Sequence, residues 1–463
     1  MTKKRIYLNA FEMACAGGHQ SPGLWRHTDD RSHTYKDSEY WINLAKLLEK
    51  GKFDAVFLAD VLGTYDVYNG SRDAALRNAV QSPVNDPLLV VPLMSSVTKH
   101  LSFGVTASVS HEHPYTFARR MSTLDHLTNG RIGWNVVTSY LKSAALNIGL
   151  EDQMSHDQRY DYAAEYLEVC YKLWEGSWED GAVVRNKEAN VYTNPSKVHD
   201  INHDGKYFKV PGAHLSEPSP QRTPLLFQAG ASPRGREFAA KHAESVFTAG
   251  PTTQVVKKGV ADLRDRIQAN GRKPEDVLVY TTFTAIVGKT EQEAEAKYEE
   301  LKKYVSYEGA LALLGGWTGI DFSEYEPEQT LEYISSNAMQ SAVEVFTRAD
   351  PDRKWTVREL ATFVGIGGRG PVAVGTPEQI ADEIEFWISE TGVDGFNLAY
   401  TLAPGSFEDF VELVIPVLQE RGLVQAEYAE GTYREKVYGK GQNHLKENHP
   451  GAVYNKRYEP VKK

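Results

Sequence analysis

Apolar residues along the first half of the chain fall alternately into short continuous runs and 3.6-spaced stripes. Residues 6–11, 53–59, 101–108 and 131–139 form runs suited to parallel strands buried on both faces. Between them, residues 38–50 place Trp41, Leu44, Ala45 and Leu48 at i, i+3, i+4, i+7, with Asp37 or Ser38 as cap. A further helix opens at Asp86-Pro87, shortened or kinked by Pro92, and residues 116–128 form another, closed by Asn129-Gly130. Residues 161–174 predict a strong helix with Ala164, Leu167, Tyr171 and Trp174 on one stripe. The rhythm resumes with strands at 225–230, 245–250, 277–288 and 393–400. Helices are predicted at 234–242, 255–269, 291–304, 377–390 and 407–421.

Eight strands alternating with helices imply parallel strands joined by right-handed crossovers, and favour a closed (β/α)8 barrel over an open sheet. The barrel is read as residues 1–422, carrying an insertion at about 305–374 over its mouth, and residues 423–463 as a C-terminal extension. Residues 175–223 are rich in Asn, Asp, Pro and Gly and predict irregular structure.

Composition narrows the function. Lys plus Arg number 51 against 62 Asp plus Glu, a net charge of −11 that leaves no basic surplus for a nucleic-acid backbone. The two cysteines, Cys15 and Cys170, exclude a disulfide framework and a Cys-based metal site. No apolar stretch reaches the ~18 residues of a membrane span, and the N-terminus lacks a signal-peptide core, so the expected address is cytoplasmic.

In a barrel, chemistry sits where strands end at their carboxyl side. The polar residues there are Asn9 with Glu12, Asp60, Thr106 with Ser108, Thr138 with Ser139 and Tyr140, and Gly230 with Ser232. An Asp ending an apolar strand points to function, the alternative being a helix cap or a loop salt bridge. The turn from Gln228 to Gly235 ends a strand in Gly and enters a helix through small residues, an arrangement suited to a phosphate or equally to an ordinary tight turn. His156, Arg159 and Tyr160 stand just before the helix expected from Asp161 and add donors. Cys15, Gly17, Gly18 and His19 follow the first strand, at the mouth. Trp25, Tyr65, Tyr68, Trp134 and Trp317 are candidate pocket aromatics. The G-x-G-x-x-G of residues 365–370 follows no adequate strand and precedes Pro371-Val372, so it reads as a lid hinge rather than a dinucleotide fingerprint. His111 and His113 match no common zinc spacing, and no metal site is expected.

Two longer stretches carry a family likeness. Residues 121–131 (MSTLDHLTNGR) and 134–139 (WNVVTS) resemble the bacterial-luciferase-like flavin monooxygenases. The nearer likeness is to the subfamily of nitrilotriacetate, dibenzothiophene-sulfone, dimethyl-sulfide and long-chain-alkane monooxygenases. Residues 51–54 (GKFD), 157–161 (DQRYD), 228–235 and 393–398 (VDGFNL) are similar to its other signatures.

The resemblance implies a barrel that binds reduced FMN and uses O2, with a separate NAD(P)H:flavin reductase and a homodimeric or homotetrameric assembly. It places Asp60 and Thr106 on the isoalloxazine side and Ser139 and Tyr140 alongside the flavin. His156, Tyr160, Ala229, Gly230, Ala231 and Ser232 fall at the ribityl phosphate. Tyr140, Cys15, His19 and Tyr65 are the candidate catalytic side chains. Unlike the alkane-oxidising members, this chain has Tyr140 where they have His, and no His in residues 308–315. The pattern resembles the dimethyl-sulfide type, so a small organosulfur compound such as a dialkyl sulfide is the expected substrate. Alkanes and aminopolycarboxylates are the alternatives. A deazaflavin hydride-transfer enzyme and a non-catalytic flavin-binding protein are the competing classes.

Overall fold

The computed structural model describes residues 4–230, 232–331 and 354–455. Eight parallel strands close into a ring. They are β1 (Tyr7–Met13), β2 (Ala55–Ala59), β3 (Ser102–Ser108), β4 (Ile132–Val137), β5 (Leu225–Gln228), β6 (Ser245–Thr248), β7 (Leu278–Val287) and, last in the chain, β9 (Gly395–Ala399). The ring runs β6-β5-β4-β3-β2-β1-β9-β7, and pairing of Ser245–Thr248 with Leu278–Thr281 closes it. These are the eight strands expected from the apolar runs. A ninth, β8 (Val372–Gly375), pairs with the far end of β7 and lies outside the ring.

Helices cover the outside. Ser38–Lys50 buries Trp41, Leu44, Ala45 and Leu48, the stripe read from the sequence. Asp86 accepts from the Leu88 N–H at 2.9 Å and starts one tight turn, and the helix Val91–Ser96 follows with Pro92 in its first turn, where no N–H is needed. One expected boundary moves. The helix placed from Asp161 begins at His156 and runs to Tyr171, because Ser155 is extended and the buried face Tyr160, Ala163, Tyr166, Leu167 extends toward it. His156 and Tyr160 therefore lie within the helix, not before it.

The barrel interior is filled rather than open. Phe57, Phe227 and Phe247 meet at ring-centroid distances of 4.3 to 5.7 Å. Gly104 and Gly133 make room for them. A Cβ on either would stand 2.9 Å from the Phe57 ring or 2.7 Å from the Phe227 ring. This plug forms the floor of the space above it.

The amino ends of the strands are sealed by residues 423–455. Tyr428 donates to Phe53 O (2.7 Å), Tyr433 N–H to Gly130 O (2.7 Å), and Tyr438 to Glu244 O and Asp276 O (3.0 and 2.8 Å). Arg434 is completely buried. It pairs with both carboxylate oxygens of Glu244 (2.7 and 2.9 Å) and donates to the carbonyls of Thr223, Pro224 and Asn443. Apart from the bond to Asn443, which ties the segment to itself, these bonds satisfy carbonyls or a carboxylate in loops leading into strands.

Several family-like residues also belong to that closed end. Asp54 accepts from Leu8 N–H (2.8 Å) and pairs with Arg5, and Asp394 accepts from Val279 N–H (2.7 Å) and Arg264 (2.6 Å). Asp125 takes both the backbone and the side-chain N–H of Gln221 (2.8 and 2.7 Å). These carboxylates bolt loops to strands, far from the carboxyl ends of β1–β7.

Candidate active site

A cavity of about 240 Å³ opens at the carboxyl ends of the strands, above the phenylalanine plug. Asp60, Thr106, Ser139, Tyr140, His156, Tyr160, Ala229, Gly230, Ser232 and His19 all line it. Ala231 lies outside the described residues.

One end gathers hydrogen-bond donors around a helix start. Ser232 is the N-cap of the helix Pro233–His242, and its Oγ accepts from Gly235 N–H at 3.0 Å and meets His156 Nε2 at 3.1 Å. The Gly230 N–H donates to Gln228 Oε1 (2.6 Å). The Tyr160 hydroxyl sits so close to this turn that a Cβ on Gly230 or Gly235 would lie 2.9 or 2.6 Å from it. Those two glycines are what admit the hydroxyl. Helix start, serine, histidine and tyrosine together present donors in the pattern a phosphate uses. Burial raises the Tyr160 pKa, so the phenol keeps its proton and donates.

The other end holds a pair of phenols. Tyr140 Oη and Tyr65 Oη are 2.6 Å apart, and Tyr65 donates to Gln81 Oε1 at 2.7 Å. The Gln81 amide donates in turn to His19 O at 2.8 Å. A carbonyl only accepts, which fixes the amide with its NH2 toward His19 and its oxygen toward Tyr65. Tyr65 thus spends its proton on Gln81, Tyr140 donates to Tyr65, and the Trp317 N–H also donates toward the phenol pair. Burial pushes the Tyr140 pKa up to about 12, against the lowering effects of Tyr65 and Arg369. The Arg369 guanidinium stacks on Trp317 at 4.9 Å. Burial, then Arg369, drives His19 down to about 3, so the ring is neutral at physiological pH. Asp60, half-buried between the two ends, is raised to about 7 by burial first and Asp86 second.

Three expectations change. Cys15 does not line the cavity. It is 1% exposed, its thiol faces Gly18 O at 3.8 Å, and burial raises its pKa well above the usual value, which disfavours a thiolate. Tyr65 stands behind Tyr140 and reaches the cavity only through that hydroxyl. Its place depends on Gly316, whose added Cβ would fall 1.6 Å from the Tyr65 ring. The glycine loop 365–370, read as a hinge, is pinned instead. A Cβ on Gly368 would strike Gln20 at 2.4 Å and one on Gly370 would strike Thr282 O at 2.5 Å. The loop delivers Arg369 to the cavity wall.

Among the candidate aromatics, Trp317 lines the cavity, Trp134 is buried in the core around the strands, Tyr68 is partly buried away from the cavity, and Trp25 is 42% exposed. Glu12 points outward from β1, away from the cavity, and Asn9 is buried inside the barrel without lining it. His113 caps the helix Pro114–Leu127, accepting from Tyr115 N–H at 3.3 Å. Arg369, Gln20, Thr282, Asn397 and Phe247 line the cavity and were not singled out from sequence. Asn397 and Thr282 carry a readable signal, a polar residue at an inward position of a buried strand. Asn397 Oδ1 and Asn135 Oδ1 are buried without a partner, so the cavity keeps acceptors for a ligand's N–H groups or water.

The class these features define is a closed parallel barrel with a phosphate-type cradle and a phenol pair sharing one cavity at the carboxyl ends of the strands. Comparison with known proteins gives the family. The family model for luciferase-like monooxygenase matches residues 23–395. The chain is 51% identical to dimethyl-sulfide monooxygenase of Hyphomicrobium sulfonivorans over 98% of this chain and 95% of that one. It is 55% identical to long-chain alkane monooxygenase of Geobacillus thermodenitrificans over 98% of each. The crystal structure of long-chain alkane monooxygenase superposes with a TM-score of 0.91 at 54% identity, covering 98% of this chain and 100% of that one. A riboflavin lyase crystallised with modified FMN and riboflavin superposes with a TM-score of 0.91 at 38% identity, covering 98% and 100%. The chain belongs to the luciferase-like monooxygenases. It is a flavin-dependent enzyme of the two-component kind, working with reduced flavin, O2 and a separate flavin reductase. Among the described residues no helix is long and apolar enough to cross a membrane.

Proposed function

We propose that the cavity holds reduced FMN, delivered by an NAD(P)H:flavin reductase, and that the enzyme oxidises a small organosulfur compound such as a dialkyl sulfide. The observation that carries this reading is the cradle of Ser232, His156, Tyr160 and the Gly230 turn, opening into the same space as Tyr140. The donor set fits a ribityl phosphate, and the unpartnered amide oxygens of Asn135 and Asn397 fit a ring edge with N–H groups. Bound there, reduced FMN supplies the activation of O2.

The residues of the chain do the rest. His156, Tyr160 and Ser232 hold the phosphate end, and Asp60, Thr106, Ser139 and Ala229 border the space left for the ring. Phe11, Phe57, Phe247 and Trp317 give that space apolar walls, which keep bulk water from the reacting atoms. Tyr140, fixed by Tyr65 and Gln81, presents a neutral hydroxyl oxygen to the substrate end. A dialkyl sulfide, small and weakly polar, suits a short end bounded by the phenol pair, His19 and the Trp317–Arg369 stack. A long-chain alkane is the second reading, favoured by the 55% identity to an alkane monooxygenase.

Binding of FMN and riboflavin to Ser232→Ala and Tyr160→Phe tests the cradle. Losing a charge-assisted hydrogen bond costs about 1.5–3 kcal/mol, so FMN affinity is expected to fall by roughly tenfold to a hundredfold while riboflavin affinity hardly changes. Equal losses for both ligands contradict the reading. Turnover of a dialkyl sulfide and of a long-chain alkane, with an added flavin reductase and O2, tests the substrate. Turnover of the alkane alone replaces the first reading by the second.

A further inference from the structure

We infer that Arg159 is a positioning residue, which holds the turn Ser139–Tyr140 and so sets where the Tyr140 hydroxyl stands. The inference rests on the reading of the cavity given above.

Ser139 follows β4 with φ +59°, a left-handed conformation that an L side chain resists and that Gly, Asn or Asp adopts more readily. The chain nevertheless places serine there, so neighbouring structure must hold the turn. The Arg159 guanidinium donates to the Ser139 carbonyl. Arg159 is 3% exposed and borders the cavity. It belongs to the first turns of the helix His156–Tyr171, and residues 156, 159 and 160 fall on one face of that helix. A single helix face therefore carries His156 and Tyr160 to the phosphate cradle and Arg159 to the turn after β4. That makes it a brace between the two ends of the cavity.

The turn is tied a second time. Ser143 Oγ donates to Thr64 O at 2.9 Å, one residue from Tyr65. A Cβ on Gly63 would lie 2.8 Å from that same Oγ. The loops bearing Tyr65 and Tyr140 are thus joined by Ser143–Thr64 and by the phenol pair. Neither tie fixes the backbone angle at Ser139. Arg159 bonds the carbonyl whose direction that angle governs.

The test is a mutant cycle of Arg159→Gln with Ser139→Gly, read as kcat in the coupled assay and as affinity for FMN and riboflavin. Glycine holds a positive φ without assistance. In the natural background, Arg159→Gln is expected to lower kcat by about tenfold or more. FMN and riboflavin affinities should move by the same small factor. In the Ser139→Gly background the same change is expected to cost less than about threefold. An equal loss in both backgrounds overturns the inference. So does a selective loss of FMN over riboflavin, which makes Arg159 a phosphate ligand instead. If Arg159→Gln does not fold, Arg159→Lys, which keeps a charge and a donor, is measured in both backgrounds by the same criterion. Flavin titration of the unaltered protein separates the two levels of failure. No FMN binding there removes the underlying reading, whereas FMN binding with an undiminished second loss removes only the role of Arg159.

Discussion

Glu12 lies on the outer face of β1, 1% exposed, between the barrel and the helix Ser38–Lys50. Its carboxyl group accepts from Met13 N–H (2.9 Å), Tyr400 (2.6 Å) and Tyr40 (2.8 Å). Burial outweighs those three bonds and lifts its pKa from 4.5 to about 7. Between those values the folded protein keeps a proton that the unfolded chain has released. The stability this group contributes is therefore complete below pH 4.5 and declines as pH rises through about 7. At about 1.4 kcal/mol per pH unit, the interval amounts to about 3 kcal/mol. Glu12→Gln removes the titration while keeping the shape. Urea unfolding of both proteins at pH 5, 6, 7 and 8 is expected to show the variant gaining on the natural protein by most of that amount between pH 5 and 7. The two curves should then run parallel. A difference that ignores pH, or that grows toward low pH, refutes the argument. The consequence reaches the cavity, because the Tyr400 ring lies under Gly18, 3.2 Å from where its Cβ would be, beside His19.

Other expectations follow from the same packing. Gly316→Ala forces the Tyr65 ring aside and is expected to destabilise the fold by about 1–3 kcal/mol, with a shift in the thermal midpoint and a fall in coupled turnover. Unchanged turnover would show that the phenol pair is dispensable. Arg434→Met leaves the buried Glu244 carboxylate without its guanidinium, a loss of about 3–5 kcal/mol measurable by denaturant unfolding, and a change under about 1 kcal/mol would contradict the strap described for residues 423–455. Cys15→Ala removes a thiol outside the cavity and is expected to keep kcat within about twofold, with a stability loss of about 1 kcal/mol. A collapse of kcat with normal stability would give Cys15 a chemical part.

Some features were legible in the chain because they depend on neighbours in sequence. The apolar runs that became β1–β7 and β9 need only residues a few positions apart to declare a strand buried on both faces. The stripe Trp41, Leu44, Ala45, Leu48 declares its helix in the same way. The Gly230–Ser232 turn is equally local, since the tight turn, the cap and the following helix lie within one short segment. Resemblance, too, marked Asp54, Asp125 and Asp394, but not what they do. Charge and spacing look alike whether a carboxylate faces a ligand or fastens a loop.

The remainder was decided by tertiary structure. Tyr140 meets Tyr65 across a gap of 75 residues, and Gln81 and His19 finish the chain of bonds from two other loops. Arg369 enters the wall from a glycine loop whose neighbours, Gln20 and Thr282, come from two segments far apart in the sequence. Arg434 finds Glu244 only because residues 423–455 return across the amino ends of the strands. Local sequence sets which backbone shape is cheapest at each position, and so fixed the elements. Which side chains then face one another depends on how the ring closes and in which register. That closure is set by the packing of the whole core, which no single stretch of the chain contains.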